Sequence, residues 1–285
     1  MTDNNNINDI QIADDKLWTK FNQLQSILAD MGELVVGFSG GVDSTFLLKI
    51  AAEVMGKENV LAVTSCAETY PSRELKEAEK LADNIGVEQV IIHTSELDNE
   101  DFTRNDKMRC YYCKRELFTN ILKIAEERGF SYVADGSNYD DEINDYRPGM
   151  KAVSELDVKS PLKKAELTKK DIRKLSRSLG LPTWDKPSFA CLSSRFPYGK
   201  EINKKELTKV DRAEEFLRKF SLHQIRVRNH DENMARIEVL PCDMEVLLAN
   251  KKEIVAVMKE LGYIYITLDL EGYRTGSMNE VLEER

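Results

Sequence analysis

Apolar positions change period several times along the chain. From Asp15 to Met31 they recur every three or four residues, the mark of an amphipathic helix. "LVVGFS" then reads as a buried strand, and "STFLLKIAAEVMG" as a helix carrying Leu47, Ile50, Ala51 and Val54 on one face. The alternation continues with a strand over 60–65, a helix from Ser72 to Ile85 and a strand over 87–93. A helix near Lys114 to Arg128, a strand over 131–136 and a helix from Thr168 to Leu179 complete it. Strands alternating with helices predict an α/β fold, a doubly wound parallel sheet with ligands at the carboxyl ends of its strands.

At "GLPTWDKP" a glycine and two prolines break the periodicity. Beyond it come a helix from Lys204 to Phe220, strands "HQIRVR" and "ARIEVL", a helix from Met244 to Leu261 and strand "YIYITLDL". This change of rhythm predicts a smaller α+β domain, and divides the chain into domains at 15–188 and 189–285. No internal repeat is present.

Between the first strand and its helix lies "GFSGGVDST". Glycines there let backbone N–H groups close round an anion, and the helix N-terminus adds its dipole. The loop lacks the Gly-Lys-Ser/Thr ending of a Walker A loop and the Gly-x-Gly-x-x-Gly of a dinucleotide fold, leaving an ordinary Gly-rich turn as the competing reading. "ADGSNYDD" ends another strand: Gly136 could approach an adenosine and Asp135 or Asp141 a metal, while Asp140 to Glu142 read equally well as a solvated acidic turn.

The five cysteines, at 66, 110, 113, 191 and 242, do not form the even-numbered framework of a secreted disulfide protein. Cys110 and Cys113 bracket two tyrosines just before a predicted helix, and Cys191 lies in the interdomain loop "SFACLSSRFPYGK" beside Arg195. Three cysteines suit a [4Fe-4S] cluster with one open iron. Zinc would need His93, Cys66 or Cys242 as a fourth ligand. Redox exchange, or a pair that is merely buried, also fits the spacing. Cys66 follows an apolar strand and is expected in the core, Cys242 at a helix start, and Cys191 could itself act as a thiolate nucleophile.

With 41 basic against 50 acidic residues the net charge is -9, which disfavours nucleic acid and favours small substrates. The polar, acidic N-terminus resembles no signal peptide, and no apolar run is long enough to span a bilayer. A soluble cytoplasmic protein with a frayed first dozen residues is the expectation.

Ser-Gly-Gly-Val-Asp-Ser resembles the PP-loop of the ATP pyrophosphatases. That resemblance implies cleavage of ATP between its α and β phosphates, with Ser39, Gly40, Gly41, Val42 and Ser44 round the pyrophosphate and Asp43 placing Mg²⁺. "MRCYYCKRELF", "DGSNYDD", "GLPTWDKPSFACLSSRFPYG", "RVRNHDENMARIEV" and "GYRTGSMNEVL" extend the likeness over nearly the whole chain. Together they resemble the ATP-dependent sulfur transferases of nickel-pincer cofactor biosynthesis, the LarE family. The family resemblance implies adenylation of the carboxylates of pyridinium-3,5-biscarboxylic acid mononucleotide and their conversion to thiocarboxylates. It also implies other enzymes of that biosynthesis as partners and a homo-oligomer, with a hexamer as one such assembly.

One branch of the family uses the cysteine matching Cys191 as a sacrificial sulfur donor and lacks the Cys-x-x-Cys pair. The presence of the pair resembles the other branch, in which Cys110, Cys113 and Cys191 would hold a [4Fe-4S] cluster that carries sulfide. Tyr111 and Tyr112 would shield it. Arg195, Glu214, Arg226, Arg228, Arg236 and Glu238 are candidates for the mononucleotide pocket, since guanidinium groups bind phosphate and carboxylate. A tRNA thiolase, an amide-forming ligase and a non-catalytic sensor are the rival readings.

Overall fold

In the computed structural model the described residues are 14–143, 148–187, 190–231 and 233–280; the N-terminal segment expected to fray lies outside them. Four strands, β1 (Leu34–Gly37), β2 (Val60–Cys66), β3 (Glu88–His93) and β4 (Val133–Ala134), form one parallel sheet in the order β3-β2-β1-β4. Every residue of β1 except Gly37 is buried, so both faces of the sheet are covered. Leu34, Val36, Val60 and Ala62 face a core built with helices Asp15–Met31, Val42–Met55 and Ser72–Ile85. Their neighbours Val35, Leu61 and Val63 face a second cluster with Phe118, Ile121 and Ala125 of helix Arg109–Arg128. This period-two division of the strand side chains is the doubly wound arrangement expected of a PP-loop domain.

Strand order reverses between β1 and β4, so the loops after these two strands open onto a topological switch point, where ligands bind in such sheets. Both candidate nucleotide loops, 38–41 and 135–138, sit there.

A second sheet has three strands, β5 (Ile225–Asp231), β6 (Met234–Val239) and β7 (Tyr265–Leu268). β5 and β6 pair antiparallel, β6 and β7 parallel. Ile225, Val227, Ile237 and Val239 turn into a core with Leu217, Ile254 and Met258, which leaves the arginines of "RVR" and the Arg236 and Glu238 of "RIE" on the opposite face. The single helix expected from Met244 to Leu261 is two, Met244–Ala249 and Lys251–Glu260. Asn250 divides them: its side-chain amide donates to the Val246 carbonyl at 2.8 Å, and such competition is why asparagine suits helix ends.

Chain contacts separate two units, Met1–Thr94 with Cys110–Ser188, and Ser95–Arg109 with Phe189–Arg285. Residues 95–109, which the sequence assigns to the first domain, thus belong with the C-terminal part. Asn105 is the reason: it is buried, its Nδ2 donates to the carbonyls of Pro197 (2.7 Å) and Lys200 (3.0 Å), and its own carbonyl accepts from the Gly199 N–H. No helix among the described residues is long and apolar enough to cross a membrane.

Candidate active site

The chain leaves β1 at Phe38 and enters helix Val42–Met55 through Ser39, Gly40 and Gly41. Gly40 has φ +62°, and a Cβ there would lie 3.1 Å from the Ala78 Cβ, so only glycine fits without strain. Gly41 caps the helix without a side-chain hydrogen bond, and the first intrahelical bond is Thr45 N–H to the Gly41 carbonyl. The amides of Val42, Asp43 and Ser44 therefore precede the helical ladder, which is the geometry that cradles phosphate. Ser39 and Ser44 lie with hydroxyls 3.1 Å apart, whereas the Val42 side chain is buried in the core and can offer only its amide.

Asp43 is ion-paired with Lys169 and accepts from Asn138 Nδ2 at 3.4 Å. Burial pushes its carboxyl up, and Lys169 offsets part of that rise. Gly136 packs on the helix start, where its Cβ would come 3.1 Å from the Ser44 nitrogen; the close approach it permits is to this backbone. Asp135 is buried and committed to Lys114, to Ser160 (2.7 Å) and to Ser137, so it braces the loop. Asp141 takes the Asn138 N–H at 2.9 Å.

Two cations beside this loop escaped the sequence reading. Lys186 donates to the Gly40 carbonyl at 3.1 Å and pairs with Glu74 and Glu77, each at 3.0 Å. Lys169 opens helix Lys169–Ser178, whose capping box joins Thr168 and Asp171. A lysine in the first turn opposes the helix dipole, and that local conflict was the available signal.

Cys110 and Cys113 lie inside helix Arg109–Arg128, in its first two turns rather than before it, about one helical turn apart on one face. Cys110 is exposed and Cys113 half-buried. Tyr111 donates to Glu155 at 2.6 Å and meets the Tyr112 ring edge-on at 5.5 Å. Cys66 is half-buried at the end of β2, outside either core cluster.

Cys191 belongs to the second unit, half-buried just before the short turn Leu192–Arg195. Arg195 is fully buried, and Glu214 clamps it through two hydrogen bonds of 2.8 and 2.9 Å. Its remaining nitrogen donates to the carbonyls of Ala190 (2.7 Å) and Cys191 (3.0 Å), and to Ser194. Burial alone would raise the Glu214 carboxyl; the Arg195 charge and hydrogen bonds override it and hold the carboxyl below its ordinary range. The pair expected to line the substrate pocket is instead an internal brace for the cysteine loop, because its donors and acceptors are spent on protein.

Arg228 likewise bonds Glu238 at 2.7 and 2.9 Å, the Ser194 carbonyl at 3.0 Å and Ser277 at 3.1 Å. Arg236 shares Glu238. The Arg226 guanidinium lies 5.3 Å over the Tyr273 ring, and burial, then the like charge of Arg195, pushes it down to about 10.

Residues 20–109 match the NAD synthase family. Over 268 residues, 93% of this chain and 99% of the relative, the chain is 40% identical to an uncharacterized protein of Synechocystis. Over 266 residues, 93% of this chain and 96% of the relative, it is 37% identical to the pyridinium-3,5-bisthiocarboxylic acid mononucleotide synthase of Lactiplantibacillus plantarum. An uncharacterized protein of Methanocaldococcus jannaschii is 30% identical over 244 residues, covering 85% of this chain and 91% of the relative. A phosphate loop at the sheet's switch point, carried on a chain aligned end to end with that synthase, places the sequence resemblance on two independent footings: the chain belongs to the pyridinium-3,5-bisthiocarboxylic acid mononucleotide synthase family.

Proposed function

We propose that the chain is an ATP-dependent sulfurtransferase that converts the carboxylates of pyridinium-3,5-biscarboxylic acid mononucleotide to thiocarboxylates. The observation that carries this reading is the uncapped helix start behind Ser39–Gly41, flanked by Asp43, Lys169 and Lys186, in a member of this family. Residues 15–188 bind ATP, and 189–285 supply Cys191 and the arginines.

A substrate carboxylate oxygen attacks the α-phosphorus of ATP, the bond to the β-phosphate oxygen breaks, and pyrophosphate leaves into the amides of Val42, Asp43 and Ser44. Asp43 would hold Mg²⁺, which would supply charge neutralisation at the phosphates, and Lys169, ion-paired with Asp43 beside the loop, meets the negative charge of the leaving pyrophosphate. A sulfur nucleophile then attacks the acyl carbon, the C–O bond to AMP breaks, and the thiocarboxylate remains. Arg226 balances the anionic substrate, while Arg195 fixes the Cys191 backbone and Arg228, likewise committed to protein partners, fixes that of Ser194.

Cys110 and Cys113, on one helix face at the positive end of its dipole, and Cys191, whose backbone carbonyl Arg195 holds, are the residues that would ligate an iron-sulfur cluster. When bound by these three cysteines, a [4Fe-4S] cluster would supply the sulfide. The working form is a cytoplasmic homo-oligomer.

Anaerobic purification with iron and sulfide analysis, followed by assay of pyrophosphate release, tests both levels. Release that depends on the mononucleotide supports the sulfurtransferase; release without it, or none, removes the reading. About four irons per chain, lost in Cys110→Ala, support the cluster. Iron-free protein after reconstitution, with dehydroalanine forming at Cys191, would replace it with sacrificial transfer.

A further inference from the structure

β5 begins at Ile225 opposite Val239, the last residue of β6, so the residues just before β5 and just after β6 are held side by side. His223, Cys242 and Asp243 meet there, and one ligand atom from each lies within 4.8 Å of the others. None of the three is among the residues assigned above to ATP binding or sulfur transfer.

Asp243 is the fixed point. It is buried, its Oδ2 accepts the His223 backbone N–H at 2.9 Å, and its Oδ1 lies 2.9 Å from His223 Nδ1. It occupies the N-cap position of helix Met244–Ala249, yet its carboxylate makes no cap bond and turns to His223. Aspartate caps are worth about 1 kcal/mol, so the sequence forgoes that gain to orient the imidazole. The side chains of Cys242 and His223 are exposed, leaving room for rotation and for water as a further ligand.

We propose that His223, Cys242 and Asp243 form a binding site for a borderline divalent transition metal of the Zn²⁺ type. Imidazole nitrogen, thiolate sulfur and carboxylate oxygen together select such ions over Mg²⁺ or Ca²⁺, which take oxygen ligands. Bonds of about 2.0–2.3 Å place neighbouring ligand atoms about 3–4 Å apart. The His223–Asp243 approach is already at that spacing, and rotation of the exposed Cys242 side chain closes the rest. The ion displaces the Cys242 thiol proton and ties the start of β5 to the end of β6.

Cobalt(II) serves as the probe, in full-length protein carrying Cys110→Ser, Cys113→Ser and Cys191→Ser so that the other candidate metal ligands are silent. Expected are one Co²⁺ per chain with thiolate-to-cobalt charge-transfer absorption, displaced by Zn²⁺. Adding Cys242→Ser should abolish that absorption, and adding His223→Asn should weaken binding by roughly tenfold or more. If the triple variant fails to fold, the same loss is read between wild type and Cys242→Ser alone. No charge-transfer absorption, or absorption that Cys242→Ser leaves undiminished, would overturn the site and leave Asp243 as a structural latch on His223.

Discussion

Asp43 serves two opposed demands. Its carboxyl is largely removed from water and its pKa raised, so the native state binds the proton more tightly than the unfolded chain does. Ionisation therefore costs stability, a cost absent below the unfolded value and growing as pH rises through the folded one. Asp43→Asn should accordingly raise the melting temperature at neutral pH while lowering substrate-dependent pyrophosphate release by roughly a hundredfold or more. A variant with unchanged activity would remove Asp43 from metal placement, and a lower melting temperature would contradict the burial argument. Arg195 shows the reverse balance. Its removal strands Glu214 in the interior, so Arg195→Ala should cost about 3–5 kcal/mol in denaturant unfolding, and Arg195→Lys should recover little because an ammonium cannot reproduce the two parallel bonds. Composition and spacing could mark this arginine as chemically interesting, but its task depends on Glu214, whose side chain arrives from helix Lys204–Arg218.

Elements were legible where one physical rule dominated. The run "LVVG" is buried on both faces and forms a central strand, and alternate residues of "RVR" and "RIE" divide between core and charged face as a period of two requires. The rule fails where two signals compete. Helix Arg109–Arg128 takes in the Cys-x-x-Cys pair, although the sequence predicts its start only near Lys114, and Asn250 interrupts a helix whose apolar period runs through it. The nucleotide loop is legible because its geometry demands particular residues. Gly40→Ala should cost about 1–2 kcal/mol from its left-handed backbone alone. The new methyl would also press on Ala78, 3.1 Å away, and displace the loop, so isothermal titration should show ATP affinity falling with the stability. Tight ATP binding by a stably folded Gly40→Ala protein would refute the cradle.

For the whole molecule, charge and chain path matter more than any one contact. At a net charge of -9 the long-range field repels nucleic acid, so bulk tRNA should produce no salt-sensitive mobility shift at about 0.15 M salt; a shift that weakens with added salt would restore the RNA reading. The second sheet follows the change in rhythm after "GLPTWDKP", but the return of residues 95–109 to the C-terminal unit left no such mark. It rests on Asn105 meeting carbonyls more than ninety positions away, which no local pattern encodes. That detour has a consequence during synthesis. Residues 95–109 leave the ribosome in the middle of the first unit, yet their partners begin only at Phe189, and Ser277, which bonds both Arg228 and Glu238, follows later still. At roughly 5–20 residues per second, the nascent chain must close its parallel sheet around an unpaired loop and hold that loop open for several seconds until the C-terminal part emerges.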